Sequence, residues 1–161
     1  MKAHKTNCIL NEYKLDELNN TQQQLIHQAH HVCKEAYAPY SNFKVGASLL
    51  LETGTIVFGN NQENAAYPSG LCAERIAFFS AGSNYPEQNI KQIAIVTQTN
   101  LKLNKTVMPC GACRQVMIEY EQKQGQLIEI LLQVNNGNIF VSNSIQNILP
   151  FAFECLELKN A

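Results

Sequence analysis

The chain has 161 residues, of which 45% are apolar and 16% are charged, and its formal net charge is −1. This length and apolar content predict one domain with a buried core over residues 1–161, with an N-terminal extension at 1–20 and a C-terminal tail at 150–161. The absence of a Lys/Arg run argues against nucleic acid as a partner, and no apolar run is long enough to cross a membrane. The first residues lack the apolar core of a signal peptide, so we expect a cytoplasmic protein.

The first predicted element is a helix over residues 21–37. Thr21 can cap it, and apolar residues recur through this stretch at helical spacing. Three histidines lie on the helix, and His27 and His31 have the i, i+4 spacing that a metal ion could use. A solvated or interface-forming helix face is the more ordinary interpretation of His27, His30 and His31, and both interpretations stay open from the sequence.

A β-hairpin and a second helix follow. Residues 43–51 alternate and then become continuously apolar, as a buried strand does, and residues 56–58 resume as a strand after a turn that contains Gly54. After a polar loop, residues 72–81 have the composition of a helix that Gly82 would stop.

The second half of the chain predicts a strand, a helix and another hairpin. Residues 90–97 are rich in β-branched side chains, and residues 110–121 form a helix that ends near Gly125. Residues 128–134 are another buried strand, which the Asn136-Gly137 turn joins to a last strand. This order of elements predicts an α/β fold with three layers, α-β-α, in which helices cover a mixed five-stranded sheet whose last two strands are antiparallel.

The chain contains six cysteines, and their arrangement favours metal binding over disulfides. A disulfide framework is typical of small secreted chains, and this chain shows neither a secretion signal nor the small size. In a reducing compartment, clustered cysteines are more often metal ligands or redox groups. Cys8, Cys33 and Cys155 stand apart from the cluster, and we expect them to be ordinary thiols.

The other three cysteines have the arrangement of a catalytic zinc site. Cys110 and Cys113 are three residues apart at the start of a predicted helix, so both sulfurs can converge on one ion, and Cys72 begins the other helix. Helix N-termini favour thiolates, and three thiolates leave the fourth tetrahedral position of zinc open to water. Glu74 lies two residues after Cys72, where a carboxylate that is not a ligand can accept a proton from that water.

A Cys-x-x-Cys pair alone is a weak signal, but Cys-Ala-Glu followed by Pro-Cys-x-x-Cys is specific to zinc-dependent nucleobase deaminases. From Tyr40 to Phe153 the chain resembles the small cytidine deaminases. The resemblance rests on several motifs in order: Ser41-Asn42-Phe43-Lys44-Val45-Gly46-Ala47, Glu63-Asn64-Ala65-Ala66-Tyr67, Cys72-Ala73-Glu74-Arg75, the run from Pro109 to Gln115, and Leu149-Pro150-Phe151-Ala152-Phe153.

This resemblance implies zinc-dependent hydrolytic deamination of cytidine and deoxycytidine in pyrimidine salvage. It implies that Cys72, Cys110 and Cys113 hold one Zn²⁺ per chain and that Glu74 moves protons. It further implies a homotetramer with shared active sites, a nucleoside as the small-molecule partner, and neither nucleic acid nor a membrane as a partner. The substrate contacts that it implies are Phe43, Asn61, Glu63, Ala65, Tyr67 and Phe153.

Four of the implied substrate contacts have simpler alternatives. Asn61 and Glu63 can be a turn residue and a solvated loop charge, Phe43 can be a core residue, and Phe153 can anchor the tail. For the protein as a whole, the alternatives are a deaminase of a related nucleoside such as blasticidin S, and a zinc-stapled binding or redox module.

Arg75 and Arg114 each follow a zinc-site motif. Three thiolates around one dication leave a net negative charge, and we hypothesise that one or both arginines donate hydrogen bonds to the cysteine sulfurs. Such bonds would weaken the electron donation of the sulfurs and keep the zinc a strong Lewis acid.

Overall fold

Six strands and three α-helices make up the described part of the chain, which is residues 1–101 and 106–153 of a computed structural model. The strands are β1 (Asn11–Tyr13), β2 (Lys44–Leu51), β3 (Ile56–Asn60), β4 (Ile90–Gln98), β5 (Glu129–Val134) and β6 (Ile139–Ser142). The helices are α1 (Asn20–Cys33), α2 (Ala73–Asn84) and α3 (Gly111–Gln124). Cys155 and the tail from residue 154 onward lie outside the described residues.

The strands form one mixed sheet in the order β1-β6-β5-β4-β2-β3. Only the β4–β5 pair is parallel among these neighbours, and the β5–β6 pair is antiparallel as predicted. Helix α1 covers one face of the sheet, and α2 and α3 cover the other. The three-layer α/β fold is therefore confirmed, with six strands in place of the predicted five.

The central strands carry apolar residues on both faces because helices cover both faces of the sheet. In β4, Ile93 and Ile95 pack into the core with α2 and α3, whereas Ala94 and Val96 pack into the core with α1. Strand side chains alternate between faces, so a strand buried on both sides needs a continuous apolar run. This packing fixes α2 and α3 side by side on the same face.

The additional strand comes from the predicted N-terminal extension. Residues Asn11–Tyr13 pair with β6 in antiparallel register, Asn11 opposite Val141 and Tyr13 opposite Ile139. The prediction missed this strand because three exposed or half-exposed residues carry no alternating apolar pattern. The pairing covers an edge of β6 that would otherwise present unpaired backbone groups.

The helix limits differ from the prediction at three points. The cap of α1 is Asn19, not Thr21, because Asn19 and Gln22 form a reciprocal capping box, and the helix ends at Cys33 rather than near residue 37. Helix α2 continues past Gly82 to Asn84. Gly82 does not stop the helix; it is the point where the ring of Tyr120 on α3 packs closely. The predicted end of α3 at Gly125 is confirmed, with φ of 64° at that glycine. No helix in the described ranges has the length and apolarity needed to cross a membrane.

Candidate metal centre and active site

The three clustered cysteines come together in space. The sulfur atoms of Cys72, Cys110 and Cys113 all lie within 4.8 Å of one another, and the Sγ atoms of Cys110 and Cys113 are 3.4 Å apart. Among the residues that the structure describes, this is the one such group of potential metal ligands.

Helix starts place all three sulfurs. Cys72 is the N-cap of α2 and Cys110 is the N-cap of α3, and Sγ of Cys110 accepts a hydrogen bond from the backbone N of Cys113 at 3.5 Å. The free backbone N–H groups of the first turn give each helix start a partial positive charge that stabilises thiolates. Because α2 and α3 lie side by side, their two starts bring the three sulfurs to one point.

Hydrogen bonds among the sulfurs and Arg75 favour ionisation of one thiol. A hydrogen bond from the Cys113 thiol, reinforced by Arg75, lowers the pKa of Cys72 to about 5, even though burial acts in the opposite direction. The hydrogen bond to Cys72, together with burial, raises the pKa of Cys113 above its ordinary value. Although burial acts in the opposite direction, interaction with Cys72 and Cys113 raises the pKa of the Arg75 guanidinium. The hydrogen bonds hypothesised from Arg75 to the cysteine sulfurs stay a prediction.

Arg114 contacts the C-terminal part of the chain. Its Nη1 donates to the carbonyl oxygen of Ile148 at 2.8 Å, in the turn that precedes the C-terminal segment. The guanidinium of Arg114 therefore holds this turn, and its hypothesised hydrogen bond to a cysteine sulfur stays a prediction.

Glu74 lies in the first turn of α2, next to the cysteine cluster, and only 5% of its surface is exposed. Burial, together with the charge of Cys72, raises the pKa of its carboxyl group to about 7. A buried carboxyl with a pKa near neutrality can both accept and return a proton, which is the property that an acid–base catalyst needs.

The donor set fits zinc. A tetrahedral zinc ion with Zn–S bonds of about 2.3 Å requires sulfurs about 3.8 Å apart, and small movements of the present sulfurs meet that requirement. The three thiolates supply three ligands. The carboxylate beside them is that of Glu74, which follows Cys72 by two residues. Three protein ligands with one open position are typical of catalytic zinc, whereas structural zinc sites have four protein ligands.

A cleft of about 420 Å³ opens beside Cys72. This volume falls in the range of small-molecule sites. Its lining includes three of the predicted substrate contacts, and the full set is Tyr40, Ser41, Asn61, Gln62, Glu63, Asn64, Tyr67, Gly70, Leu71 and Cys72.

Asn61 and Glu63 both form hydrogen bonds with the loop that leads into β2 and with the start of that strand. The Asn61 side chain accepts a hydrogen bond from Val45 N at 2.8 Å and donates one to Phe43 O at 2.9 Å. The Glu63 carboxylate accepts from Tyr40 N at 2.9 Å and from the hydroxyl of Ser41. The Ser41 hydrogen bond lowers the pKa of Glu63, so this side chain is an anion at neutral pH.

The remaining predicted contacts differ in exposure. Phe43 is half-buried, whereas Ala65 is exposed, and Tyr67 and Phe153 are 76% and 72% exposed. The ring of Tyr67 meets that of Tyr40 edge to face, with centroids 6.1 Å apart. Large aromatic side chains with this exposure are typical of binding surfaces.

The sequence-based prediction omitted Tyr40 and Ser41 from the site. Both line the cleft, and both hold Glu63 through hydrogen bonds. The sequence did contain a signal for both residues, because Ser41 opens the Ser41-Asn42-Phe43 motif and Tyr40 precedes it.

The histidines of α1 show no metal cluster in the described part of the chain. His27 and His31 are exposed, and Nε2 of His30 lies 2.7 Å from the side-chain oxygen of Gln133. Of the isolated cysteines, Cys8 is exposed and Cys33 is buried. The simpler interpretation of the histidines and of these two thiols stays a prediction.

Comparison with known proteins places the chain in a family. A family profile described as the cytidine and deoxycytidylate deaminase zinc-binding region matches residues 19–128. A cytidine deaminase from Halalkalibacterium halodurans is 46% identical over 138 residues, which is 86% of this chain and 98% of the relative. The crystal structure of cytidine deaminase from Burkholderia pseudomallei superposes with a TM-score of 0.71 at 40% identity, covering 84% of this chain and 100% of that one.

A more distant relative is a blasticidin-S deaminase from Bacillus cereus, 29% identical over 112 residues, or 68% of this chain and 76% of the relative. The profile match spans more than half of the chain and includes all three cysteines and Glu74. The chain therefore belongs to the zinc-binding cytidine and deoxycytidylate deaminase family.

Proposed function

We propose that this protein is a zinc-dependent enzyme that hydrolyses cytidine and deoxycytidine to uridine and deoxyuridine, releasing ammonia, in pyrimidine salvage. The observation that carries the proposal is the convergence of Cys72, Cys110 and Cys113 at two helix starts, with buried Glu74 beside them. The adjoining cleft of about 420 Å³ offers space for a nucleoside. Homologous cytidine deaminases that match almost end to end support the same reaction.

The three cysteines would hold the zinc, which as a Lewis acid makes water a nucleophile near neutral pH. Glu74 performs the proton transfers. It accepts a proton from the attacking water and delivers it to N3 of the pyrimidine ring as the new C–O bond forms at C4. Glu74, again a carboxylate, then takes the proton of the new C4 hydroxyl and delivers it to the amino group, and the C4–N bond breaks to release ammonia as the C4 carbonyl forms.

The environment of Glu74 suits this task. Only 5% of its surface is exposed, and this burial raises the pKa of its carboxyl group to about 7. A carboxylate with an ordinary pKa near 4 would be a weaker base and would return its proton too readily. Arg75 would offset part of the negative charge of the Cys72 and Cys113 thiolates, whose interaction with it raises its pKa.

The cleft would bind the sugar and the base through different residues. Asn61 and Glu63 would hydrogen-bond the ribose 3′-hydroxyl, and each retains acceptor capacity beyond the bonds it already makes. Phe43 would pack against the pyrimidine, and Ala65 and Tyr67 would contact the sugar.

We further propose that the enzyme is a cytoplasmic homotetramer in which all 161 residues form one domain. The exposure of Tyr67 and Phe153 supports this, because a neighbouring subunit would cover these rings and complete the active site. Phe153 would then stack on the substrate of an adjacent subunit.

Deamination of blasticidin S is a second candidate, and a more distant one, supported by a relative of 29% identity. A zinc-stapled binding or redox module would have no use for Glu74. The cost of burying this carboxyl beside thiolates argues for a catalytic role instead.

The test is a spectrophotometric assay of the purified, zinc-loaded protein with cytidine, deoxycytidine, adenosine and blasticidin S. We expect loss of the cytosine absorbance with the first two substrates and none with adenosine. Turnover of blasticidin S alone would support the second candidate. Absence of turnover with all four, in protein that holds one zinc per chain, would contradict an enzymatic function.

A further inference from the structure

Three side chains of α3 hold the C-terminal segment, residues 145–153, at successive points. Glu121 accepts hydrogen bonds from Ile145 N at 2.8 Å and Gln146 N at 3.2 Å. Arg114 donates to Ile148 O at 2.8 Å, and Gln115 donates from Nε2 to Phe153 O at 3.0 Å. The segment therefore starts near the end of α3 and runs back toward the helix start, where Cys110 and Cys113 lie.

Glu121 is the most buried of these three side chains, with 5% of its surface exposed. Its carboxylate also accepts from Ile128 N at 2.8 Å, so it pairs three backbone N–H groups from two separate segments. It lies eight residues after Cys113 on the buried face of α3, with Met117 between them. One helix face thus carries a metal ligand at one end and the anchor of the C-terminal segment at the other.

The backbone of the segment is also held in an uncommon conformation. Phe151 has φ of 55°, in the left-handed region that aromatic residues rarely adopt. Such a conformation persists only where the surrounding contacts determine it. Its neighbour Phe153 is fixed through its carbonyl oxygen while its ring is 72% exposed, which is the arrangement of a group presented to a ligand or a partner.

We propose that Arg114, Gln115 and Glu121 are positioning residues that set the place of the Phe153 ring relative to the metal end of α3. The inference rests on the proposed function, because it takes the substrate to be a nucleoside that the Phe153 ring contacts. These residues act on catalysis through the segment and not through the metal.

Gln115 gives the cleanest test, because Gln115→Ala removes one hydrogen bond at a half-buried position and should leave the fold intact. We expect the KM for cytidine to rise about two- to tenfold, with kcat and zinc content unchanged, as loss of one neutral hydrogen bond predicts. The matched control is Gln122→Ala on the same helix, whose side chain makes none of these contacts, and its KM should equal that of the wild type.

A double-mutant cycle tests whether Gln115 acts through Phe153. If it does, Phe153→Ala raises KM, and adding Gln115→Ala to that variant raises KM no further. Additive effects of the two substitutions, or an unchanged KM in Gln115→Ala, would overturn the inference. So would an equal rise in the Gln122→Ala control.

Arg114 supplies a second arm with rescue by a conservative change. Arg114→Gln should raise KM, and Arg114→Lys, which keeps a cationic donor for Ile148 O, should restore most of the loss while zinc stoichiometry stays constant. Loss of zinc in Arg114→Gln would instead show that this arginine acts on the metal, contrary to the inference. A wild-type protein without cytidine deaminase activity would refute the proposed function itself, which separates the two failures.

Discussion

Replacing Asn61 tests whether the side chain that shapes the cleft also binds substrate. Asn61 is 9% exposed, and its amide bridges Val45 N at 2.8 Å and Phe43 O at 2.9 Å. In Asn61→Ala both partners lose their bonds. A partly buried backbone group left unpaired costs about 1–3 kcal/mol, and water in the cleft can replace one of the two bonds. We therefore expect the free energy of unfolding to fall by about 1–3 kcal/mol.

The expected loss corresponds to a fall in Tm of about 2–12 °C for a chain of this size. The KM for cytidine should rise at least two- to tenfold, since a hydrogen bond to the sugar is lost and the Phe43 loop is released. Differential scanning calorimetry and steady-state kinetics on zinc-loaded protein measure the two effects separately.

Asn60→Ala is the matched control. The adjacent Asn60 donates to Val32 O at 3.0 Å and accepts from Gln62 Nε2 at 2.6 Å, and it is itself absent from the cleft lining. This variant should lose about 1 kcal/mol of stability without a change in KM. Asn61→Ala could instead lower Tm and leave KM at the wild-type value, the result expected for Asn60→Ala. Asn61 would then be only a structural bridge, and the reasoning about its substrate contact would be refuted.

Three further predictions follow from the packing. Gly59→Ala on β3 should lower Tm by about 2–12 °C and weaken zinc retention, because an added Cβ would overlap the backbone at the start of α2. A Tm and a metal content equal to those of the wild type would contradict this close packing. Burial raises the pKa of the Cys33 thiol from 9.0 to about 11, so the folded state favours the neutral thiol. The stability that this neutral thiol contributes is complete below pH 9 and is lost as the pH rises toward 11. The decline in unfolding free energy across that pH window, measured by urea titration, should be smaller in Cys33→Ala, and an equal decline would argue against a buried neutral thiol. Deleting residues 1–13 should leave the β6 edge open and promote concentration-dependent association in analytical ultracentrifugation. Sedimentation that matches the full chain at every concentration would contradict a protective role for β1.

The metal site could be predicted from the sequence because its parts are local. Cys72 with Glu74, and Cys110 with Cys113, are fixed relative to each other by one helix turn, so short motifs carry most of their geometry. The two helix starts meet because the buried strands leave α2 and α3 on one face, and the continuous apolar runs of those strands were visible in the sequence.

The features that the prediction missed depend on distant partners. Strand β1 exists because β6 offers it an edge, and nothing within Asn11–Tyr13 indicates a strand. Gly82 looked like a helix stop, yet its role is to admit the ring of Tyr120. Likewise, the anchoring role of Glu121 depends on backbone N–H groups of Ile128, just before β5, and of the C-terminal segment, which no local pattern specifies.

The role of Glu74 is the central claim, and its direct measurement is kcat for cytidine in Glu74→Gln with zinc content determined on the same sample. The substitution keeps the size of the side chain and removes its ability to accept a proton. We expect kcat to fall at least about 10²-fold with one zinc per chain retained, because a positioned general acid–base contributes about 10²–10⁴-fold. Glu87→Gln, an exposed glutamate after α2, is the control and should behave as the wild type. Near-wild-type deamination by zinc-loaded Glu74→Gln would contradict the account.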